Sequence, residues 1–314
     1  MGKILLYLLG LLGLFGMLGT GYIMVRDAGK EPPRPDLGLN ALVAELGIEG
    51  RLSILVVRNK FPIYDAHWPK DEVTAETAYP LGSLGGIFTA SAVQILHDEG
   101  QLDLDKPLAD YLPETQLTVT AAQLLTHTDD LNQEHSDRLL ERLVEQVSGM
   151  TVPEFVEQKI KTPLAAAREA KRADPELDLT LTGLNWQPES GKPGQWVACA
   201  RDLKRWELSL NTGLLVRLET HLRAFSPPKK ADGTRHPYGF GWEISNYNGL
   251  RLEEWVADET GFGANLTRFS EKNFALVILT DQPRSVLDTR VLARQIADLY
   301  LSREFPRHRG LPHD

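Results

Sequence analysis

Residues Ile4 to Val25 form 22 consecutive positions without a charge, in a chain where 25% of all residues are charged. At about 1.5 Å of rise per residue such a run makes a helix of roughly 33 Å, enough to cross a hydrocarbon layer of about 30 Å. This predicts a membrane anchor in residues 1–30, with the lipid bilayer as its partner. A cleaved signal peptide is the competing reading: Lys3 would be its basic start, Ile4 to Leu18 its apolar core, and Gly19 and Gly21 the small residues of a cleavage site. The uncleaved span fits better, because the apolar run continues through Tyr22, Ile23, Met24 and Val25 beyond that site. Lys3 precedes the run while Arg26, Lys30 and Arg34 follow it. Taken literally that count favours a cytoplasmic body, although large domains translocate largely regardless of such counts.

The remainder reads as one globular domain. The whole chain has 314 residues, 34 basic and 43 acidic side chains and a formal charge of −9, which argues against a nucleic-acid phosphate backbone as ligand. Cys199 is the only cysteine, so no intrachain disulfide scaffold exists. Residues 31–36, Glu-Pro-Pro-Arg-Pro-Asp, are too rich in proline for a helix interior and predict a stiff linker, with the domain over 37–305 and a polar tail over 306–314.

Within the domain, apolar spacing predicts helices at 36–46, 88–99 (closed by Gly100), 121–125, 137–148, 152–159 and 202–211, and a last amphipathic helix over 286–305. Strands are predicted at 52–57 and 61–67 around an Arg58-Asn59-Lys60 turn, and in the C-terminal third at 238–245, 252–257, 266–269 and 274–280. Strands at both ends of a helical middle imply an α+β fold: an antiparallel sheet flanked by terminal helices, with a mainly helical second lobe.

The segment Leu81-Gly82-Ser83-Leu84-Gly85-Gly86-Ile87-Phe88-Thr89-Ala90 is followed in order by Leu102-Asp103-Leu104-Asp105-Lys106-Pro107, Tyr111-Leu112-Pro113, Leu124-Leu125-Thr126-His127-Thr128, Val147-Ser148-Gly149, Ala200-Arg201-Asp202-Leu203, Tyr238-Gly239-Phe240-Gly241-Trp242 and Thr260-Gly261-Phe262-Gly263. Over roughly residues 40 to 300 this series resembles the serine beta-lactamase-related family, which includes class C beta-lactamases, low-molecular-weight penicillin-binding proteins and related esterases. The resemblance implies a beta-lactamase/transpeptidase-like fold, an extracytoplasmic body (periplasmic if bacterial) on a single-pass anchor, and a serine nucleophile at Ser83.

The family's three motifs are each altered. In its Ser-x-x-Lys motif the lysine deprotonates a serine three residues away on the same helical face. Here Ser83 is present and the lysine position is Gly86. Ser83 also suits a simple helix cap. The Tyr-x-Asn motif belongs after the His127-Thr128 segment, yet that stretch is shortened and holds no tyrosine between Tyr111 and Tyr238. The Lys-Thr-Gly or His-Thr-Gly motif reads Glu259-Thr260-Gly261, preceded by Asp258. A carboxylate in place of the cation reverses the local charge. Like charges about 4 Å apart repel by roughly 1 kcal/mol in water and by several times that in a drier cleft. Glu259 would therefore disfavour an anionic ligand, unless it lies at a strand edge facing solvent.

Three functions remain open. One is a catalytically inactive, membrane-anchored family member whose cleft takes a protein partner or a small cationic or neutral ligand. Another is a residual esterase- or peptidase-like hydrolase using Ser83, with Glu259 or a group from elsewhere as base. The third is a structural subunit of a membrane complex. The Ser83 N–H and the backbone after Thr260 are candidate oxyanion-hole donors. His127 reads as packing and hydrogen bonding, and Cys199, between Val197, Ala198 and Ala200, as a small buried residue. The eight histidines show no ligand spacing, so neither metal nor cofactor is implied.

Overall fold

The computed structural model describes residues 35–169, 178–189, 192–230, 233–259 and 261–305. The expected anchor, most of the linker, the polar tail and Thr260 lie outside the described residues. Among those described, no helix is long and apolar enough to cross a membrane. The chain divides at residue 42 into two units. Of the first, only the start of α1 (Pro35–Leu46) is described. Pro35 and Asp36, expected in the linker, form the first turn of this helix. Proline is tolerated there because that N–H has no intrahelical partner, and Asp36 favours the positive end of the helix dipole.

Residues 43–314 carry a six-stranded antiparallel sheet in the order β2-β1-β9-β8-β7-β6. Its strands are β1 (Leu52–Arg58), β2 (Phe61–Trp68), β6 (Glu243–Tyr247), β7 (Leu250–Glu259), β8 (Phe262–Phe269) and β9 (Phe274–Thr280). A small second sheet is made by β3 (Tyr79–Pro80), β5 (Lys192–Ala198) and β4 (Asn185–Glu189). In the helical part are α2 (Gly86–Asp98), α3 (Ala121–Leu125), α4 (Gln133–Ser148), α5 (Val152–Phe155), which continues through a π-helical turn into α6 (Thr162–Glu169), α7 (Ala200–Ser209) and α8 (Leu218–Ala224). The last helix is α9 (Thr289–Leu301).

The central strands β1 and β9 are buried along nearly their whole length, as their runs Leu-Ser-Ile-Leu-Val-Val and Phe-Ala-Leu-Val-Ile-Leu-Thr require. Alternation along the strands separates two faces. Leu55, Val57, Ala264, Leu266, Val277 and Leu279 join one core with Ile87, Phe88, Ala92 and Leu96 of α2. On β7 the same alternation sends Trp255 toward that core, while Glu254 turns to α9, where Arg290 and Arg294 each hold it at 2.6 Å.

Several expected boundaries shift for local reasons. α4 begins four residues earlier than the apolar spacing suggests, because the Asn132 side chain caps it by accepting the His135 N–H. β8 starts at Phe262, and the strand expected over 238–245 is confined to Glu243–Tyr247. The β4–β5 hairpin and α8 were not expected. Asn-Trp-Gln-Pro-Glu is wholly exposed, and α8 leaves Leu218 and Leu222 outside, so neither shows the periodicity of a buried element.

Candidate functional site

Ser83 lies in a single 3-10 turn, Gly82–Gly85, that leads directly into α2. It does not cap the helix: the N-cap positions are Leu81 for the turn and Gly85 for α2, and neither receives a side-chain cap bond. Ser83 is exposed, and its hydroxyl takes part in no hydrogen bond among the described residues. Gly82 makes the turn possible. It has φ +50°, and a Cβ there would lie 2.7 Å from Glu259 Oε1 and 2.9 Å from the Phe262 ring.

At the position of the missing lysine, the room for a side chain is taken by Trp255. A Cβ on Gly86 would stand 3.3 Å from Trp255 Cζ2, and the indole N–H donates to the Ser83 carbonyl at 3.2 Å. Gly241, with φ +79°, gives way on the other side, where a Cβ would meet the same indole at 2.3 Å. Gly85 makes room in turn for Trp196, whose Cδ1 would be 2.7 Å from a Cβ. Glycine at 85 is thus a packing requirement of Trp196, while glycine at 86 gives Trp255 a close but not obligatory fit.

The β7–β8 register decides the direction of the two acids that precede Thr260. Asp258 pairs with Gly263 and Glu259 with Phe262, so their side chains leave opposite faces of the sheet. Glu259 turns to the serine, and its Oε1 accepts the Ser83 backbone N–H at 3.1 Å. Asp258 turns away: its side chain, 8% exposed, accepts from the Thr289 hydroxyl at 3.0 Å, with Arg284 3.9 Å off. The acidic pair expected at the cleft is therefore one carboxylate. Gly261, with φ +101°, forms the turn, and Thr260 lies outside the described residues. The Ser83 N–H, expected as a free oxyanion donor, is already bonded to Glu259.

A cleft of about 210 Å³ opens beside Ser83, Gly85 and Gly86, walled by Thr89 of α2, Asp137, Leu140 and Glu141 of α4, and Trp186, Gln195 and Trp196 of the β4–β5 hairpin. Asp137 and Glu141, four residues apart, share one face of α4. Neither has an ion pair or hydrogen bond among the described residues. Burial, then the charges of Glu141 and Asp129, pushes the Asp137 carboxyl up to about 6. The carboxyl of Glu141 is raised by desolvation and by Glu145, against the lowering effect of Arg138. Sequence reasoning missed both acids, taking this stretch as a merely polar helix. The available signal was the shortened segment after His127-Thr128, which leads directly into α4.

His127 packs edge-on to Tyr238 with ring centroids 4.8 Å apart, and burial lowers its pKa. The Cys199 thiol donates to Asp202 Oδ2 at 2.9 Å and is pushed up to about 12, first by burial and then by that bond. Among the described residues no group of histidine, cysteine or acidic side chains could hold a metal ion.

A family model described as Beta-lactamase matches residues 39–301. No curated protein matches the sequence. Solved structures with this fold include an octameric penicillin-binding protein homologue from Pyrococcus abyssi, at 20% identity and TM-score 0.64, covering 88% of this chain and 79% of that one. A penicillin-binding protein from Bacillus halodurans matches at 17% identity and TM-score 0.63, over 82% and 99% of the two chains. A class C beta-lactamase mutant matches at 16% and 0.62, over 84% and 96%.

Proposed function

Because this chain belongs to the beta-lactamase family, we propose that its Ser83 cleft binds a ligand or partner without performing the acyl transfer for which a serine in this position would be used. The observation that carries the reading is the state of Ser83. Its hydroxyl makes no hydrogen bond to a base among the described residues, and its N–H is held by Glu259 at 3.1 Å. A serine without a base is a poor nucleophile, and a tetrahedral intermediate needs the donor that Glu259 occupies. The Glu259 carboxylate accepts from the backbone and makes no hydrogen bond to the hydroxyl among the described residues. The test is intact-protein mass spectrometry after exposure to benzylpenicillin and to a fluorophosphonate. No adduct is expected, and an adduct that disappears in Ser83→Ala would overturn the reading.

One observation favours a residual hydrolase instead: Asp137 lines the same cleft as Ser83 and holds its proton up to about pH 6. If Asp137 serves as base, esterase turnover lost in Ser83→Ala is lost in Asp137→Asn as well.

The uncharged run Ile4 to Val25 supports a membrane-anchored setting for this binding function, with the body outside the cytoplasm in keeping with the family resemblance. Retention in the membrane pellet after alkaline carbonate, with the domain digested by protease that reaches the outer face of a sealed plasma membrane, is the expected result. Release of full-length protein by carbonate would contradict the anchor.

A further inference from the structure

The walls of the Ser83 cleft are chemically one-sided. Asp137 and Glu141 bring two carboxylates to one face of α4, with no cation paired to either among the described residues. Thr89 is 6% exposed and lines the same cleft, and its hydroxyl has no hydrogen-bond partner among the described residues. That hydroxyl is open to the cleft rather than sealed from solvent, so it is free to bond whatever enters. Opposite stand two indoles, Trp186 and Trp196, edge to face with centroids 5.3 Å apart. Both also line an adjoining cavity of about 260 Å³ with Pro153, Val156 and Leu184, at whose edge stand Glu154, Glu157 and Lys161. The indole pair therefore offers apolar surface beside the carboxylates.

We infer that the cleft receives a primary ammonium group carried on an apolar chain: the ammonium between Asp137 and Glu141 with Thr89 beneath it, the chain along Trp186 and Trp196. An ammonium has three donors, matching two carboxylates and one hydroxyl oxygen, and charge-assisted bonds of this kind are the strong ones. The indole faces favour a cation through their negative π-surface and the alkyl chain through burial. Glu259 is a further carboxylate beside the serine, bonded to the Ser83 N–H. A carboxylate ligand meets repulsion from Asp137 and Glu141 and finds the Ser83 N–H already taken. The inference rests on the reading that the cleft binds without cleaving a bond.

The test titrates purified full-length protein with n-hexylammonium, n-hexanol and n-hexanoate, followed by tryptophan fluorescence and calorimetry at pH 7.5 and low salt. Hexylammonium is expected to saturate and to bind about tenfold or more tightly than hexanol, with hexanoate not binding. Asp137→Asn and Glu141→Gln, both close in shape to the native residue, are each expected to weaken hexylammonium by about fivefold or more and to leave hexanol unchanged. Near-ultraviolet circular dichroism establishes that both variants are folded. Equal affinity for hexylammonium and hexanol, or hexylammonium binding unchanged in both variants, overturns the inference. A preference for hexanoate overturns it too, while leaving the non-hydrolytic reading in place. A Ser83-dependent covalent adduct removes that reading and leaves the ammonium preference to be judged on these titrations alone.

Discussion

Restoring the family's lysine by Gly86→Lys tests whether Trp255 holds the space the structure assigns to it. Gly86 has φ −58° and ψ −18°, ordinary helical values, so the backbone accepts a side chain there and helix propensity favours it by up to about 0.7 kcal/mol. Against this stands the indole. A Cβ would lie 3.3 Å from Trp255 Cζ2 and 3.8 Å from Cη2, so the ring must give by a few tenths of an ångström before the longer chain is placed. Overpacking of this kind costs about 1–3 kcal/mol, and displacing the indole also loses its N–H bond to the Ser83 carbonyl, about 1 kcal/mol more. The net expectation is a loss of roughly 1–3 kcal/mol. Trp255→Ala has its own cost from lost packing, yet it removes the obstruction. The double variant should therefore be more stable than the sum of the singles by about 1–2 kcal/mol. Urea unfolding of the native chain and the three variants, followed by circular dichroism, measures this coupling. Additivity within about 0.5 kcal/mol would show that residue 86 and Trp255 do not compete for one space.

Other expectations follow from buried charge. Arg268, 3% exposed, lies 2.9 Å from Glu207 and 3.7 Å from Glu253 beneath the rings of Phe225 and Trp242. Arg268→Met strands the buried Glu207 and leaves Glu253 to Arg251 and Ser270, and a loss of about 3–5 kcal/mol is expected from urea midpoints; a loss under 1 kcal/mol would refute the network. The Asp137 carboxyl is raised from its ordinary 3.8 to about 6, so the folded state binds this proton more tightly than the unfolded state does. Its contribution to stability is present below about pH 4 and is lost as pH rises to about 6. Asp137→Asn should therefore match the native chain at pH 4 and exceed it by about 1–2 kcal/mol at pH 7, once solvent screening is allowed for; parallel profiles would contradict this. Cys199, pushed up to about 12 and bonded to Asp202, should resist Ellman's reagent in the native state and react after unfolding. Rapid native labelling would be the contrary result.

Much of the fold was legible because its signals are local. The apolar runs of β1 and β9 and the helical spacing after Ser83 report burial directly, and the ordered motif segments point to one family. The direction of Glu259 was not legible. A one-residue change in register exchanges the faces of Asp258 and Glu259, and register is set by the pairing of β7 with β8 across a turn. Trp255 gave no warning either, since an aromatic residue in a strand reads as core whether it fills a hydrophobic layer or the place of a lost lysine. Gly85 and Gly86 were visible as oddities at a helix start, but their cause lies in Trp196 and Trp255, which are 111 and 169 residues away in sequence. The β4–β5 hairpin was missed because Pro, Gly, Gln and Glu dominate it, although its two tryptophans form the wall opposite α4.

A binding cleft and an enzyme differ here in whether Ser83 performs chemistry. Turnover of p-nitrophenyl acetate and of a chromogenic cephalosporin, measured side by side for the native chain and Ser83→Ala, tests this most directly. Equal rates for the two proteins are predicted, because the hydroxyl makes no hydrogen bond among the described residues and the N–H beside it is bonded to Glu259. A rate in the native chain that falls about a hundredfold or more on removing the hydroxyl would contradict it, that being the size of effect a working acyl-transfer group commands.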